Sequence, residues 1–419
     1  MRILVLTNMY PPHAYGGYEM GCRDVVERWR RAGDEVMVLT STVRVPGHDA
    51  PSDQGGTGPG RSRGPAPSED PRQVRRELRL YWDDHVILSP PLVTRLHTER
   101  RNRHYLDAAL ADFCPDVVSA WAMGAMSMGL LSRLGDLGVP VVSVVADEWP
   151  YYGPNVDAWL RPLAARPGLA RLVGATTGLA TGLPPLDELG PFCFASEAMR
   201  TKLRALSPWS FPRSAIVPWG IDASVFRMPT AAPERPWRWR LLHAGRIDER
   251  KGIATVIEGL ALCPLEATLE VLGRGDADHL LELRKLVDDL GVTDRVTFGD
   301  SDRDELAVRY GQADALVFAP LWDEPFGLVP LEAMACGTPV VASPTGGATE
   351  FMTDGTNCLT FPSGDAQGLA AALVRLSQDS ALRARVVSGG LQTAAHYTVD
   401  RLAEDLAGWN QTARESRRG

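Results

Sequence analysis

Short, uninterrupted apolar runs recur along this chain, each followed by a stretch with helical spacing, and the alternation restarts once after a proline-rich break. Residues 3–6 are apolar throughout, 19–32 carry apolar side chains at helical intervals, Gly33 turns the chain, and 36–40 are apolar again. A strand without polar alternation is covered on both faces, which points to a parallel sheet flanked by helices. Strand, helix and strand joined in this order form a βαβ unit. Further apolar runs at 117–119 and 139–145 extend the series, and 192–203 reads as a strand entering a helix, with Ser196 placed to cap it.

A short strand and turn come next at 215–226, after which residues 227–236 hold three prolines and no periodicity. The linker is therefore placed at 227–238. The series resumes with strands at 240–244, 267–272, 296–298, 315–319 and 339–342, and helices at 253–263, 279–290, 326–335 and 366–376. This predicts an α/β chain of two doubly wound, Rossmann-like domains facing a central cleft: 1–226, 239–395, and a C-terminal helix within 396–419 packing back on the first domain. In such sheets ligands sit beyond the carboxyl ends of the strands, where the strand order reverses.

At 419 residues the chain is long enough for two cores. Its 44% hydrophobic and 23% charged residues exclude wholesale disorder, and a net charge of −8 argues against a nucleic-acid binder. Six scattered cysteines without a C-x-x-C pair suit buried thiols better than disulfides or a zinc site. The apolar run at the N-terminus is too short for a signal-peptide core and no stretch is long enough to span a membrane, so a cytoplasmic location is expected. Residues 44–72, rich in Pro, Gly and Ser, are expected to form a flexible loop.

Three loops carry candidate chemistry. Gly16 and Gly17, between the first strand and its helix, allow close backbone approach to an anion, although the same pair also makes an ordinary tight turn. In GRIDERKG at 245–252, Arg246 offers a planar fork and Lys251 a point charge for one diphosphate. A solvated charged loop would read the same, but only three lysines stand among 44 basic residues. In EPFGLVPLE at 324–332, Glu332 can accept bonds from ribose hydroxyls while Glu324 faces a sugar, although an acidic helix N-terminus that merely favours the dipole would read the same. The amides of Phe326, Gly327 and Leu328 offer anion donors at the helix mouth. Thr345-Gly346-Gly347 repeats the glycine turn.

Asp276-Ala277-Asp278 and Asp300-Ser301-Asp302 have the spacing of a metal-binding pair but lie away from the expected nucleotide site, and are read as loop or cap residues. Arg95, Arg100, Arg101 and Arg103, with His97 and His104, read as a solvated helix face diluted by Glu99 and Asp107. A peripheral membrane contact is the alternative.

Taken together, GR-x4-KG at 245–252, the E-x7-E of EPFGLVPLE, EAMACGTPVVAS at 332–343 and TGGATEFMTDGTNCLTFPSGD at 345–365 resemble the retaining glycosyltransferases of family 4, of GT-B fold. That family includes bacterial mannosyltransferases and sucrose synthase. PPHAYGGYE and VPWGIDASVF resemble its first-half signatures, and the likeness is strong over 241–365 and loose over 44–190. The resemblance implies that Arg246 and Lys251 bind the donor diphosphate, that Glu332 holds the ribose and that Glu324 contacts the sugar near its reacting carbon. It places Gly16 and Gly17 beside the phosphates, and gives the backbone of Phe326, Gly327 and Leu328 to sugar hydroxyls and phosphate. The donor it implies is a nucleoside diphosphate sugar, transferred to an acceptor hydroxyl with retained configuration and without metal or other cofactor.

One departure stands out. Relatives carry a histidine after a middle first-half strand, where this chain has Ala146; Asp147 and His13 are the nearest polar candidates for holding the acceptor. Asp147 serves equally well as a cap for the following turn. A nucleotide-sugar epimerase or hydrolase of similar fold, and a non-catalytic scaffold partner, are the competing functions. The intact E-x7-E with Arg246 and Lys251 argues against the scaffold, and the lack of G-x-G-x-x-G after either opening strand disfavours a dehydrogenase. The base, the donor sugar, the acceptor and the oligomeric state are not legible in the sequence.

Overall fold

Apolar strands that end in glycine- or asparagine-bearing loops stack here into two separate parallel sheets. The computed structural model describes residues 1–45, 70, 72–83, 86–228 and 236–416. They fall into one unit of Met1–Val217 with Ala403–Gly419, and a second of Pro218–Leu402.

The first unit holds β1 (Arg2–Leu6), α1 (Gly17–Arg31), β2 (Glu35–Ser41), β3 (Val74–Leu78), α2 (Leu92–Phe113), β4 (Val117–Ala120), β5 (Val141–Val145), α3 (Trp149–Val156), β6 (Phe192–Phe194), α4 (Glu197–Leu206) and β7 (Ser214–Ile216). The seven strands of its main sheet run in the order β3-β2-β1-β4-β5-β6-β7, and Trp82–Asp83 and Val86–Ile87 form a separate small antiparallel pair. All seven strands of the main sheet pair in parallel, with Ile3 opposite both Val36 and Val117. Ile3, Leu4, Val5 and Leu6 are fully buried, as a strand covered on both faces must be. Ser196 caps α4, accepting the Met199 amide at 3.1 Å. The edge strand β3, with Arg75 and Arg76 between buried Val74 and Leu78, lacks a continuous apolar run and is absent from the sequence reading. So are the short helices over 149–189, where prolines and glycines break any helical period.

The second unit holds β8 (Arg240–Ala244), α5 (Ile253–Ala261), β9 (Thr268–Leu272), α6 (Ala277–Asp289), β10 (Val296–Gly299), α7 (Arg303–Gln312), β11 (Ala315–Phe318), α8 (Leu328–Ala335), β12 (Val340–Ala342), β13 (Leu359–Thr360), α9 (Ala366–Gln378) and α10 (Ser380–His396). Its six strands are ordered β10-β9-β8-β11-β12-β13, again in parallel. The Asp-x-Asp stretches serve as helix caps. Asp276 accepts the amides of Asp278 and His279 at 2.8 and 3.1 Å, Asp302 accepts that of Glu305 at 2.9 Å, and Asp300 pairs with Arg274.

The chain leaves the first unit at Val217 rather than at residue 226. The reason is local pairing: the Ile221 amide donates to Tyr397 O and the Val399 amide to Ile221 O, both at 2.9 Å. Most of the linker expected at 227–238, and most of the loop expected at 44–72, lies outside the described residues. The last helix, α11 (Val399–Ser416), passes from the second unit to the first, where Ala403 O accepts the Trp29 indole N–H at 2.9 Å and Arg414 pairs with Asp116 at 3.2 Å.

The arginines of α2 are less solvated than expected. Arg95 donates to Pro90 O and Ala158 O at 2.6 and 2.7 Å, and Arg101 to Glu77 O at 3.2 Å. Glu99, read as a surface acid, is only 5% exposed and accepts the hydroxyls of Tyr81 at 2.6 Å and Ser127 at 2.5 Å. Of the six cysteines, all free, Cys114 alone is exposed, against the expectation of buried thiols. No helix among the described residues is long and apolar enough to cross a membrane.

Candidate active site

In the second unit the sequence order reverses between β8 and β11, which are hydrogen-bonded neighbours with Leu241 opposite Ala315. The loops leaving both strands, and that leaving β12, therefore open at one edge of the sheet. After β8 comes Gly245, then Arg246, then a single helical turn from Glu249 to Lys251 capped by Asp248, whose carboxylate accepts the Arg250 amide at 3.0 Å. Arg246 lies 3.6 Å from the same carboxylate. Hydrogen bonds from Arg250, with further help from the Arg246 charge, hold the Asp248 carboxyl well below the usual carboxylate range.

The loop after β11 carries Trp322 and Glu324 and ends at Gly327, which takes φ +100° at the start of α8 with no side-chain cap. Only glycine adopts that conformation cheaply. The Arg250 carbonyl accepts the Leu321 amide at 2.8 Å, tying this loop to the previous one. Glu324, 6% exposed, accepts the Lys251 ammonium and the Trp322 indole N–H, the latter at 2.9 Å. From β12 the turn at Gly346 closes underneath: the Gly347 amide donates to Glu324 O at 2.7 Å, and a side chain at Gly346 would collide with that carbonyl. Glu332, half-buried on α8, accepts the Tyr310 hydroxyl at 3.0 Å.

The structure thus brings together Lys251 and Glu324, places Arg246 on the same loop as Lys251, and sets Glu332 further along α8. It also supplies partners the sequence reading lacked: Trp322, Tyr310 and Asp248. Trp322 stands two residues before Glu324, and an aromatic so close to a proposed ligand-binding carboxylate was the available signal. For Tyr310, 22 residues before Glu332, the sequence offered none.

The remaining candidates belong to the first unit. Gly16 precedes α1, and its amide donates to Glu19 Oε2 at 3.0 Å; Gly17 is the helix's first residue. His13 is 3% exposed and its Nδ1 accepts the Val45 amide at 3.3 Å. Asp147 lies just beyond β5 and accepts the Trp149 amide at 3.1 Å and the Tyr152 hydroxyl at 2.7 Å. It does cap the turn into α3, but burial also pushes its carboxyl up to about 6, where a capping acid would ordinarily sit low. Tyr152, a further partner unread from sequence, occupies the space a side chain at Gly124 would need.

The family model "Glycosyl transferases group 1" matches residues 231–392. The match falls within the second unit, on a domain similar to those of group 1 glycosyltransferases. Arg246, Lys251, Glu324 and Glu332 all lie inside that domain. A D-inositol 3-phosphate glycosyltransferase of Acidothermus cellulolyticus is 33% identical over 223 residues, 49% of each chain. The lipopolysaccharide core biosynthesis glycosyltransferase LpsE of Rhizobium meliloti is 38% identical over 176 residues, covering 41% of this chain and 48% of that one. The chain thus spans about half the length of these relatives. A phosphatidyl-myo-inositol mannosyltransferase of Mycobacterium leprae is 29% identical over 60% of this chain and 69% of its own. Among solved structures, sucrose-phosphate synthase of Thermosynechococcus elongatus superposes over 99% of both chains with TM-score 0.69 at 21% identity. Anabaena Alr3699/HepE in complex with UDP and glucose superposes over 97% of this chain and 98% of its own with TM-score 0.66 at 19% identity. The group 1 domain and its partner unit have the GT-B fold.

Proposed function

We propose that this chain is a retaining glycosyltransferase that moves a sugar from a nucleoside diphosphate sugar to an acceptor hydroxyl without a divalent metal. The observation that carries the reading is the Lys251–Glu324 pair at the reversal point of the group 1 domain's sheet, with Arg246 on the adjoining turn. Two neighbouring cations can meet the two charges of a diphosphate, and the nearly buried carboxylate of Glu324 suits a sugar hydroxyl. Glu332 on α8 serves the ribose, and the α8 N-terminus with Phe326, Gly327 and Leu328 favours phosphate. Gly16 and Gly17 contribute backbone on the phosphate side.

In the reaction the acceptor oxygen bonds to the anomeric carbon as the bond from that carbon to the leaving phosphate oxygen breaks. The acceptor's proton passes to that phosphate oxygen on the same face, so no protein base is required and the configuration is kept. Arg246 and Lys251 neutralise the charge that grows on the leaving diphosphate. Asp147 orients the acceptor hydroxyl. His13, buried and bonded to the Val45 amide, takes no part in this scheme.

The test is a thermal-shift screen of UDP, GDP and ADP with their glucose and mannose conjugates, since a ligand of the native state raises the melting point. Transfer assays then use the stabilising donor, offering inositol phosphate and phosphatidylinositol among the acceptors because relatives are named for them. Product of retained configuration by NMR, and turnover in excess EDTA within a few-fold of the untreated rate, are expected. An inverted product, or activity abolished by EDTA and restored by Mn2+ or Mg2+, would sink the mechanism.

A further inference from the structure

We propose that Trp322 is a positioning residue of the donor site: its indole N–H fixes one oxygen of Glu324 and its ring face seats Lys251, leaving the second oxygen of Glu324 for the donor sugar. This rests on the reading of Glu324 as the sugar contact. Both the Lys251 ammonium and the Trp322 N–H go to Oε1, and no group among the described residues bonds Oε2. The Lys251 ammonium also lies 5.4 Å from the indole centroid, and the Arg250 guanidinium 4.7 Å from it, so one ring faces two cations.

The indole is itself held. Its main-chain carbonyl accepts the Thr345 hydroxyl at 2.6 Å, while Glu324 O accepts the Gly347 amide at 2.7 Å, so both residues hang from the turn after β12. Lys251 cannot serve Glu324 and a diphosphate at full strength together. When its ammonium turns to the diphosphate, a 6% exposed carboxylate would lose its charged partner, which is costly in so dry a place. The neutral N–H of Trp322 stays, keeps the carboxylate in one rotamer and leaves Oε2 aimed where the sugar comes.

The variant Trp322→Phe keeps a ring for the cations and removes the donor; Trp322→His restores a ring N–H; Glu324→Gln is the reference. Calorimetry of the full chain with UDP and UDP-glucose, GDP and GDP-mannose, and ADP and ADP-glucose yields, for the best pair, the affinity gained by the sugar. In Trp322→Phe that gain should fall about tenfold, as for one hydrogen bond to a charged group, while affinity for the bare nucleotide stays within two-fold. Trp322→His should recover part of it. If Glu324→Gln lowers the sugar's gain and Trp322→Phe does not, Trp322 has no positioning role. Should Glu324→Gln leave the gain unchanged, or no pair bind, the donor-site reading falls and this inference with it.

Discussion

The hydroxyl of Tyr310 donates to Glu332 at 3.0 Å from a residue that is itself wholly buried. Burial first, and the charge of Glu332 next, push the phenol well above its ordinary value, so it stays a donor at every working pH. One oxygen of the carboxylate proposed to hold the ribose is thus oriented from beneath by a group that does not ionise.

Glu332→Ala should weaken nucleoside diphosphate binding at least tenfold, and Tyr310→Phe about threefold, with little change in turnover at saturating donor. Calorimetry with the bare nucleotide separates the two. Unchanged affinity in Glu332→Ala removes the ribose assignment.

Lys251→Ala should act on the chemical step. Its ammonium counts more as the diphosphate departs, so turnover should fall by about 10²–10³, as for the loss of one oxyanion donor. Donor KM should move far less. Single-turnover rates at saturating donor decide, and a wild-type rate would take Lys251 out of the mechanism.

Asp147→Asn should impair transfer to the acceptor far more than donor binding. Because burial raises the carboxyl to about 6, a step that needs the anion gains rate as pH rises through that value and loses it below. Tyr152 donates to this carboxylate, Tyr18 and Glu19 lie near Tyr152, and neighbouring Glu148 pairs with Lys202 at 2.9 Å. The acidic limb near 6 should vanish from the kcat profile of Asp147→Asn. A limb that persists in the variant belongs to another group.

Glu99 predicts a pH-dependent stability. Desolvation, followed by the charge of Asp157, raises its carboxyl from 4.5 to about 8. Between those values the folded chain keeps a proton that the unfolded chain has released. Stability therefore falls as pH rises through the window and the loss is complete above it. Denaturant midpoints of the wild type should drop between about pH 5 and pH 9, and Glu99→Gln should flatten that slope. An equal slope in both proteins would place the titration elsewhere.

Most strands of both sheets were readable because a two-face-covered strand writes itself as an unbroken apolar run, as Ala315–Phe318 does. The edge strands β3, with its arginines, and β13, only two residues long, were not. Local caps were readable for the same reason, since Ser196 acts on an amide three residues away. Glu99 was not: its burial depends on Tyr81 and Ser127, 18 and 28 positions off, and among arginines it looks like a surface acid. In the candidate site Lys251 and Glu324 could be named separately, but their direct pairing across 73 positions depends on the adjacency of β8 and β11. Strand order is a tertiary outcome that no short window of sequence contains.

The route of the last helix bears on how the chain is made. Residues 218–402 form one uninterrupted unit, whereas the unit that starts at Met1 is completed only by Ala403–Gly419. On a ribosome, Trp29 emerges early but waits for its carbonyl partner until the whole of the other unit has been translated. With 374 positions between the two, that is a delay of roughly twenty to seventy-five seconds at ordinary elongation rates. During it Trp29 lacks that partner, so residues 218–402 can fold before the first unit is complete.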